Sequence, residues 1–341
     1  MRKIAVEEHF YTEAYLEYLR SRKDPPRREI VQDENGNEVE RAWDSVYYRD
    51  RPVSSSLGLL EMGEKRLNDM DRTGIDMQVL SLSNPGVELF GMKDGEMMAT
   101  KTNDELARII QRYPVRFVGL AAISPENPRR AAGELERTAK ELGFKGANIN
   151  SHVNGEYLDD RKFWIIFEKA EELGLPIYIH PREPSADMVK PYAKYPLLLG
   201  AMLGFSAEVG LHAMRLILSG VFDVFPDLKL VLGHLGEGLP FSLWRMDNRW
   251  SKSPMSKRLK KRPSQYFKDN IFVTTSGMFW NPAFMCVYDG LGPDNILFAV
   301  DYPYESNEIA ANFIEAVPIP DRDKAKVCHK NAEKLFNIGP Q

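Results

Sequence analysis

Cysteine is nearly missing from this chain: Cys286 and Cys328 are the only two among 341 residues. That excludes a disulfide framework and any cysteine-rich zinc module. Charge of one sign is not in surplus either, since 45 Lys+Arg stand against 49 Asp+Glu for a formal net charge of −4. A chain so close to neutral has no electrostatic footprint for nucleic acid. The first residues offer only a three-residue apolar run before Glu7 and Glu8, so no signal peptide is expected. No apolar run is expected to reach the ~20 residues that cross a bilayer. The longest, residues 195–205, gives way at once to Ser206 and Glu208. These absences predict a cytoplasmic protein with neither nucleic-acid nor membrane partners. No glycine-rich turn follows the first strand-like run, which weighs against a doubly wound dinucleotide-binding sheet.

What is present is ordinary globular composition, 43% hydrophobic and 28% charged, arranged in a regular alternation. Short apolar runs at residues 4–6, 77–82, 117–123, 146–150, 176–179, 228–232, 271–275 and 296–300 read as strands covered on both faces. Between them lie amphipathic stretches of helical length, among them 60–72, 102–112, 129–142 and 163–173. Several close on glycine (Gly74, Gly143, Gly174), the residue that best adopts the left-handed stop of a helix. Eight βα units predict an α/β fold, a (β/α)8 TIM barrel built from residues 1–341 as a single domain. Two stretches depart from the pattern. Residues 20–57 form a long polar insertion after the first strand, with Pro25-Pro26 and the turn dipeptide Asn35-Gly36, and read as a loop or lid. Residues 196–225 form a long apolar helical region.

In such a barrel the reactive groups sit at the C-terminal ends of the strands. The first strand ends in Glu7-Glu8-His9, the fifth in His180, the sixth in His234 and the eighth in Asp301. Three of only six histidines therefore fall on strand ends, a placement that chance would rarely produce. Glu7 and His9, two apart, face one side of an extended strand while Glu8 faces the other. With His180 and Asp301 they make two carboxylates and two imidazoles converging on the barrel axis. Oxygen and imidazole donors suit Mn²⁺, Zn²⁺ or Fe²⁺. His234 and Glu237, three apart in Gly233-His234-Leu235-Gly236-Glu237, can meet, with the carboxylate fixing the imidazole tautomer. Arg49, Arg51, Arg182 and Arg245 are candidate clamps for a carboxylate, because the guanidinium fork matches its two oxygens. Trp43, Tyr47, Tyr48, Phe279, Trp280 and Tyr304 can wall a flat ligand. His152 is placed near the mouth; His212 and His329 lie in helical stretches and read as structural.

These motifs together resemble one family. Glu7-Glu8-His9, Ile179-His180-Pro181, Gly233-His234-Leu235-Gly236-Glu237 and Asp301-Tyr302-Pro303-Tyr304 are similar to those of the amidohydrolase-2 group of metal-dependent decarboxylases. That group includes enzymes acting on γ-resorcylate, 2,3-dihydroxybenzoate and 5-carboxyvanillate. The stretch 143–160 and Asn331-Ala332-Glu333-Lys334 share the likeness, which spans essentially the whole chain. The resemblance implies a homodimer or homotetramer with one divalent metal ion, Mn²⁺ or Zn²⁺, removing CO₂ from a small aromatic carboxylic acid of the ortho-hydroxybenzoate type. It implies Glu7, His9, His180 and Asp301 as metal ligands, and Asp301, His234 and Glu237 as catalytic groups. It implies that Tyr304 and Arg245 touch substrate, Arg245 from a neighbouring subunit; Arg49 and Arg51, read from the insertion itself, are expected to bind substrate too. Either Asp301 or His234 would deliver a proton to the carbon that loses the carboxyl group. The competing reading is a metal-dependent hydrolase of the same superfamily, cutting a C–N, C–O or C–C bond. The first motif lacks the His-x-His of two-metal hydrolases, and the fourth strand ends in Asn148 and Asn150 rather than lysine. A single ion follows.

Overall fold

Residues 1–45, 49–52 and 56–339 are described by a computed structural model. In chain order the strands are β1 (Ile4–Phe10), β2 (Arg27–Gln32), β3 (Glu38–Trp43), β4 (Arg51–Pro52), β5 (Met77–Leu82), β6 (Phe117–Gly119), β7 (Ala121–Ala122), β8 (Ala147–Asn150), β9 (Ile177–His180), β10 (Leu230–Leu232), β11 (Ile271–Thr274) and β12 (Ile296–Leu297). Two parallel sheets, ordered β1-β5-β6 and β12-β11-β10-β9-β8-β7, form the barrel wall. β6 and β7 are halves of one barrel strand. Between them Leu120 donates its N–H back to Leu80 O at 2.9 Å, and Ala121 donates to Gly146 O at 2.9 Å on the other side. The second seam closes where the chain beyond β12 runs beside β1: Val6 N–H to Phe298 O, Asp301 N–H to Glu7 O and His9 N–H to Tyr302 O. All eight expected strands are present, and the expected barrel closes.

Side-chain parity divides the core in two. Ile4, Val6, Met77, Val79, Leu120, Tyr178, Val231, Leu297 and Ala299 pack with one another in the barrel interior, which Ala332, Phe336 and Ile338 of the chain's end also join. Their sequence neighbours Ala5, Leu80, Ile177, Leu230, Ile296 and Phe298 belong to the larger cluster between strands and helices. Strands buried on both faces are therefore apolar at every position, which is why they read as unbroken runs.

Four local features differ from expectation. The helical stretch 60–72 is divided: Ser56–Leu60 ends, and Glu64–Thr73 begins after Gly63. The helix expected over 102–112 starts ten residues earlier, at Met92. The insertion 20–57 is not all loop. β2 and β3 pair antiparallel from Arg27↔Trp43 to Gln32↔Glu38, and β4 adds to β3. Their hairpin turns on Asn35-Gly36 as expected, with Asp33 Oδ1 accepting the N–H groups of Asn35 and Asn37 at 2.8 Å. Finally, Pro196–Ser219 is 24 residues long and apolar enough by composition to cross a bilayer, contrary to the expectation of no such run. It is not one continuous helix. A short 3-10 turn, Pro196–Leu199, is separated by the turn at residues 200–203 from the helix Gly204–Ser219, whose buried face carries Glu208 and His212 bonded into the loop after β8.

Candidate metal centre and active site

The lumen-facing parity continues past the hydrophobic layer to the mouth. Tyr178 is followed two residues on by His180, Val79 by Ser81, and Ala299 by Asp301, so each polar group points where its apolar predecessor does. β1 alone would break this rule, since Ile4 and Val6 face inward and Glu8 should follow them. The β1–β5 register shifts between Ala5 and Glu8, and this bulge turns Glu7 and His9 inward instead. Glu8 then faces out, where its buried carboxylate accepts the N–H groups of Val300 (2.9 Å) and Tyr302 (3.0 Å) and locks the seam.

Glu7, His9, His180 and Asp301 meet as expected, with one ligand atom from each lying within 4.8 Å of the others. His180 Nε2 is 3.8 Å from Glu7 Oε1, and His9 Nε2 is 3.0 Å from Asp301 Oδ1. The two histidine rings sit edge-on, centroids 4.6 Å apart. Glu7 divides its labour between two oxygens. Oε2 accepts the hydroxyls of Thr274 (2.8 Å) and Ser276. Oε1 is buried with no hydrogen-bond donor among the described residues. A buried carboxylate oxygen left bare is costly unless a cation meets it. His180 is held well below its ordinary pKa by burial and by the neighbouring His9. It is therefore neutral, as a ligand must be. The donor set fits a divalent ion that accepts mixed oxygen and imidazole ligands.

Beside this cluster His234 and Glu237 are joined, Nδ1 to Oε1 at 2.8 Å. His234 Nε2 faces the cluster, 3.7 Å from Asp301 Oδ2 and 3.9 Å from Glu7 Oε1. Burial lowers the proton affinity of His234, but Glu237, Glu7 and Asp301 outweigh it and raise its pKa well above the ordinary value. Asp301 goes the other way. Burial raises its pKa, yet bonds to His234 and His9 hold it far below the carboxylate range. His234, Leu235, Glu237 and Asp301 all have positive φ (48°, 56°, 56° and 79°), a conformation that costs L-residues energy and clusters at functional sites.

The remaining expected residues fall into three groups. Arg51 and Tyr304 lie at the mouth. Arg51 pairs with Asp44, which also grips the buried Arg28 at 2.7 Å. Burial and Arg28 push Arg51 down to about 10. Tyr304 hydrogen-bonds Ser83 at 2.7 Å and leans on the His9 ring, centroids 5.7 Å apart. Arg49 and Arg245 are exposed and make no hydrogen bond or ion pair with the cluster among the described residues. Arg182 is not an open clamp: it is fully buried against Glu183 at 3.4 Å. His152 and His212 use both ring nitrogens locally. His152 bonds Glu183 O and Gly155 N–H, while His212 bonds Ser151 and Leu158 N–H. His329 pairs with Glu333 on the surface side. Of the aromatics, Trp43 lies under Arg27, Phe279 packs on Phe313 and Trp280 is exposed. Tyr47 and Tyr48 lie outside the described residues. Sequence reasoning missed Thr274, Ser276 and Tyr304's partner Ser83; strand parity at the ends of β11 and β5 was the available signal.

A family model described as amidohydrolase matches residues 59–338. The chain belongs to the amidohydrolase family. It is 35% identical to the γ-resorcylate decarboxylase of a Polaromonas species over 345 aligned residues, covering 98% of each. Its fold superimposes on the 5-carboxyvanillate decarboxylase of Sphingomonas paucimobilis with a TM-score of 0.88, at 36% identity and 99% coverage of both chains. The dihydroxybenzoic acid decarboxylase of Polaromonas, solved with bound manganese and the inhibitor 2-nitroresorcinol, gives a TM-score of 0.86 at 34% identity, covering 99% and 98%.

Proposed function

We propose that this amidohydrolase family member is a manganese-dependent decarboxylase of an ortho-hydroxybenzoate, with Glu7, His9, His180 and Asp301 holding the ion. The observation that carries the reading is the bare Glu7 Oε1 within a ring of four convergent donors at the barrel mouth. Manganese bound in solved relatives of similar sequence supports the choice of ion. When bound, the cation would supply the positive charge that holds the phenolate and carboxylate oxygens of a salicylate-like ring.

The chain's own groups do the rest. Arg51 and Tyr304 face the mouth from the insertion and from the loop after Asp301, where a guanidinium and a phenol can orient a flat acid. Decarboxylation requires a proton at the ring carbon before CO₂ departs. For the two candidate donors, against the effect of burial in each case, Glu237, Glu7 and Asp301 raise the pKa of His234, while His234 and His9 lower that of Asp301. Geometry favours His234: Glu237 braces its Nδ1 at 2.8 Å and its Nε2 faces the cluster, whereas Asp301 would be engaged with the ion, so we assign His234 the delivery of the proton.

The exposed apolar residues Leu197, Met202, Phe241 and Trp244 favour a homo-oligomer, with Phe241 85% and Trp244 77% exposed in the isolated chain. Arg245, next to Trp244 on the same helix, would then reach a neighbouring subunit. A cytoplasmic setting agrees with the two unpaired cysteines.

The test is to strip the purified protein of metal, reload it with Mn²⁺ and follow CO₂ release from 2,6-dihydroxybenzoate and 5-carboxyvanillate. Release that depends on Mn²⁺ is expected. A loaded protein that leaves every hydroxybenzoate intact but cleaves esters or lactones would overturn the reading.

A further inference from the structure

Asn150 ends β8 where two-metal relatives of the superfamily are expected to carry lysine, and neither its role nor that of Glu88 is explained by the site described so far. Asn150 is buried, and its side-chain Oδ1 lies 2.8 Å from His180 Nδ1. The other half of its amide faces Glu88: Nδ2 is 3.1 Å and 3.4 Å from the two carboxylate oxygens, and the Asn150 backbone N–H donates to Oε1 at 2.7 Å. An asparagine amide can in principle be turned either way. Here Glu88 orients it: burial raises the Glu88 pKa, but the Asn150 backbone N–H and Arg182 lower it, and Oε1 already accepts that N–H, so the carboxylate faces the amide as an acceptor. It must face the NH₂, which leaves the amide oxygen toward His180. His180 then has to carry its proton on Nδ1, and the lone pair on Nε2 is left pointing at Glu7 Oε1 and the cluster.

The surroundings are built to keep this order. Glu88 sits in the loop after β5, whose carbonyls at Asn84 and Gly86 accept the hydroxyls of Tyr11 and Tyr15. Gly86 has φ +69°, and a Cβ there would collide with the Glu88 carboxylate and the Asn150 amide. The next residue after Asn150 is also fixed, since Ser151 donates to Glu208 at 3.0 Å and meets His212 at 3.1 Å.

We propose that Glu88 and Asn150 form a positioning relay that sets the tautomer and aim of His180, so that its Nε2 is presented to the ion. The inference rests on the metal-centre reading above. Outer partners of this kind commonly change metal affinity by 10- to 100-fold when removed.

Two readouts test it. Mn²⁺ binding to the metal-stripped protein, followed by the loss of the free-ion electron paramagnetic resonance signal, is expected to weaken by about 10- to 100-fold in Asn150→Leu. Asn150→Asp alone sets two carboxylates together and is also expected to bind weakly. The exchange pair Glu88→Gln with Asn150→Asp restores one amide donor and one carboxylate acceptor and is expected to recover most of the affinity, a rescue that a merely structural role would not give. The second readout needs no metal. In the ¹⁵N spectrum of ring-labelled histidine, the His180 signals, assigned by their loss in His180→Gln, are expected to report protonated Nδ1 in the parent and to move toward the other tautomer in Asn150→Leu. Unchanged Mn²⁺ affinity and an unchanged ring spectrum in Asn150→Leu would overturn the relay. So would an exchange pair no better than Asn150→Asp. If the parent chain bound no Mn²⁺, the metal reading would fall while the ring spectrum still decided the relay.

Discussion

Replacing Glu237 by Gln removes a charge from the site while preserving its shape. The Gln oxygen can still accept from His234 Nδ1, now 2.8 Å from Glu237 Oε1, so the imidazole keeps its place. What changes is the proton affinity of His234, which Glu237 helps to raise against the effect of burial. A hydrogen bond to a charged partner is worth about 1.5–3 kcal/mol. Gln keeps a neutral hydrogen bond worth about 0.5–1.5 kcal/mol, so only the difference, about 1–1.5 kcal/mol, is lost with the charge, and the proton affinity of His234 falls accordingly. The protonated imidazole is then depleted at a lower pH, so the basic limb of the kcat profile moves down by about one pH unit, at 1.36 kcal/mol per unit. KM changes little, since Glu237 lies behind the imidazole. The assay is kcat and KM for the Mn²⁺-loaded protein across pH on whichever hydroxybenzoate is turned over. A basic limb that stays in place would refute the assignment of His234 as the proton donor.

Asp301→Asn should abolish turnover with the fold kept, because Asn tolerates the left-handed conformation that Asp301 adopts (φ 79°) as well as Asp does; turnover in a variant with the parent's circular dichroism would remove Asp301 from the mechanism. Alanine at Arg49 and Arg51 together should raise KM by about tenfold, the loss of roughly 1.4 kcal/mol of binding, with kcat kept; an unchanged KM would show that the insertion does not hold substrate. His212→Gln should flatten the acid side of the stability profile. Burial lowers the His212 pKa to about 3 from 6.5, so between those values the unfolded chain binds a proton that the folded chain refuses. Stability therefore falls as pH drops through that window, by at most about 1.4 kcal/mol per pH unit. Gln offers a donor and an acceptor without titrating. Glu208, pushed up to about 7 by burial, acts in the opposite sense between 4.5 and 7 but is common to both proteins. Urea midpoints measured from pH 7 to pH 4 check this, and parallel slopes would contradict it.

Most of the barrel and half of the site were legible in the chain itself because burial on both faces makes each strand an unbroken apolar run. A polar residue at a strand's end, such as His180 or Asp301, stands out against that background. Periodicity was silent about the bulge in β1. Pairing by twos puts Glu7 and His9 together but not on which face, and the shift between Ala5 and Glu8 decides it. The division of one barrel strand at Leu120 was hidden because its flanking residues remain apolar throughout. The small β2-β3-β4 sheet escaped notice because its strands are rich in Arg and Glu and are held at its edge by the buried Arg28–Asp44 pair rather than by an apolar face. Glu88 and Asn150 are 62 residues apart, so nothing local links them. Their contact exists only once β5 and β8 stand in the same barrel.

The most direct measurement is anomalous scattering from crystals of the Mn²⁺-loaded protein, recorded on both sides of the manganese absorption edge. One peak is predicted, surrounded by Glu7 Oε1, His9 Nε2, His180 Nε2 and an Asp301 oxygen, with its occupancy lost in Glu7→Gln. A map with no peak among those four side chains, or with the ion bound elsewhere in the chain, would contradict the account.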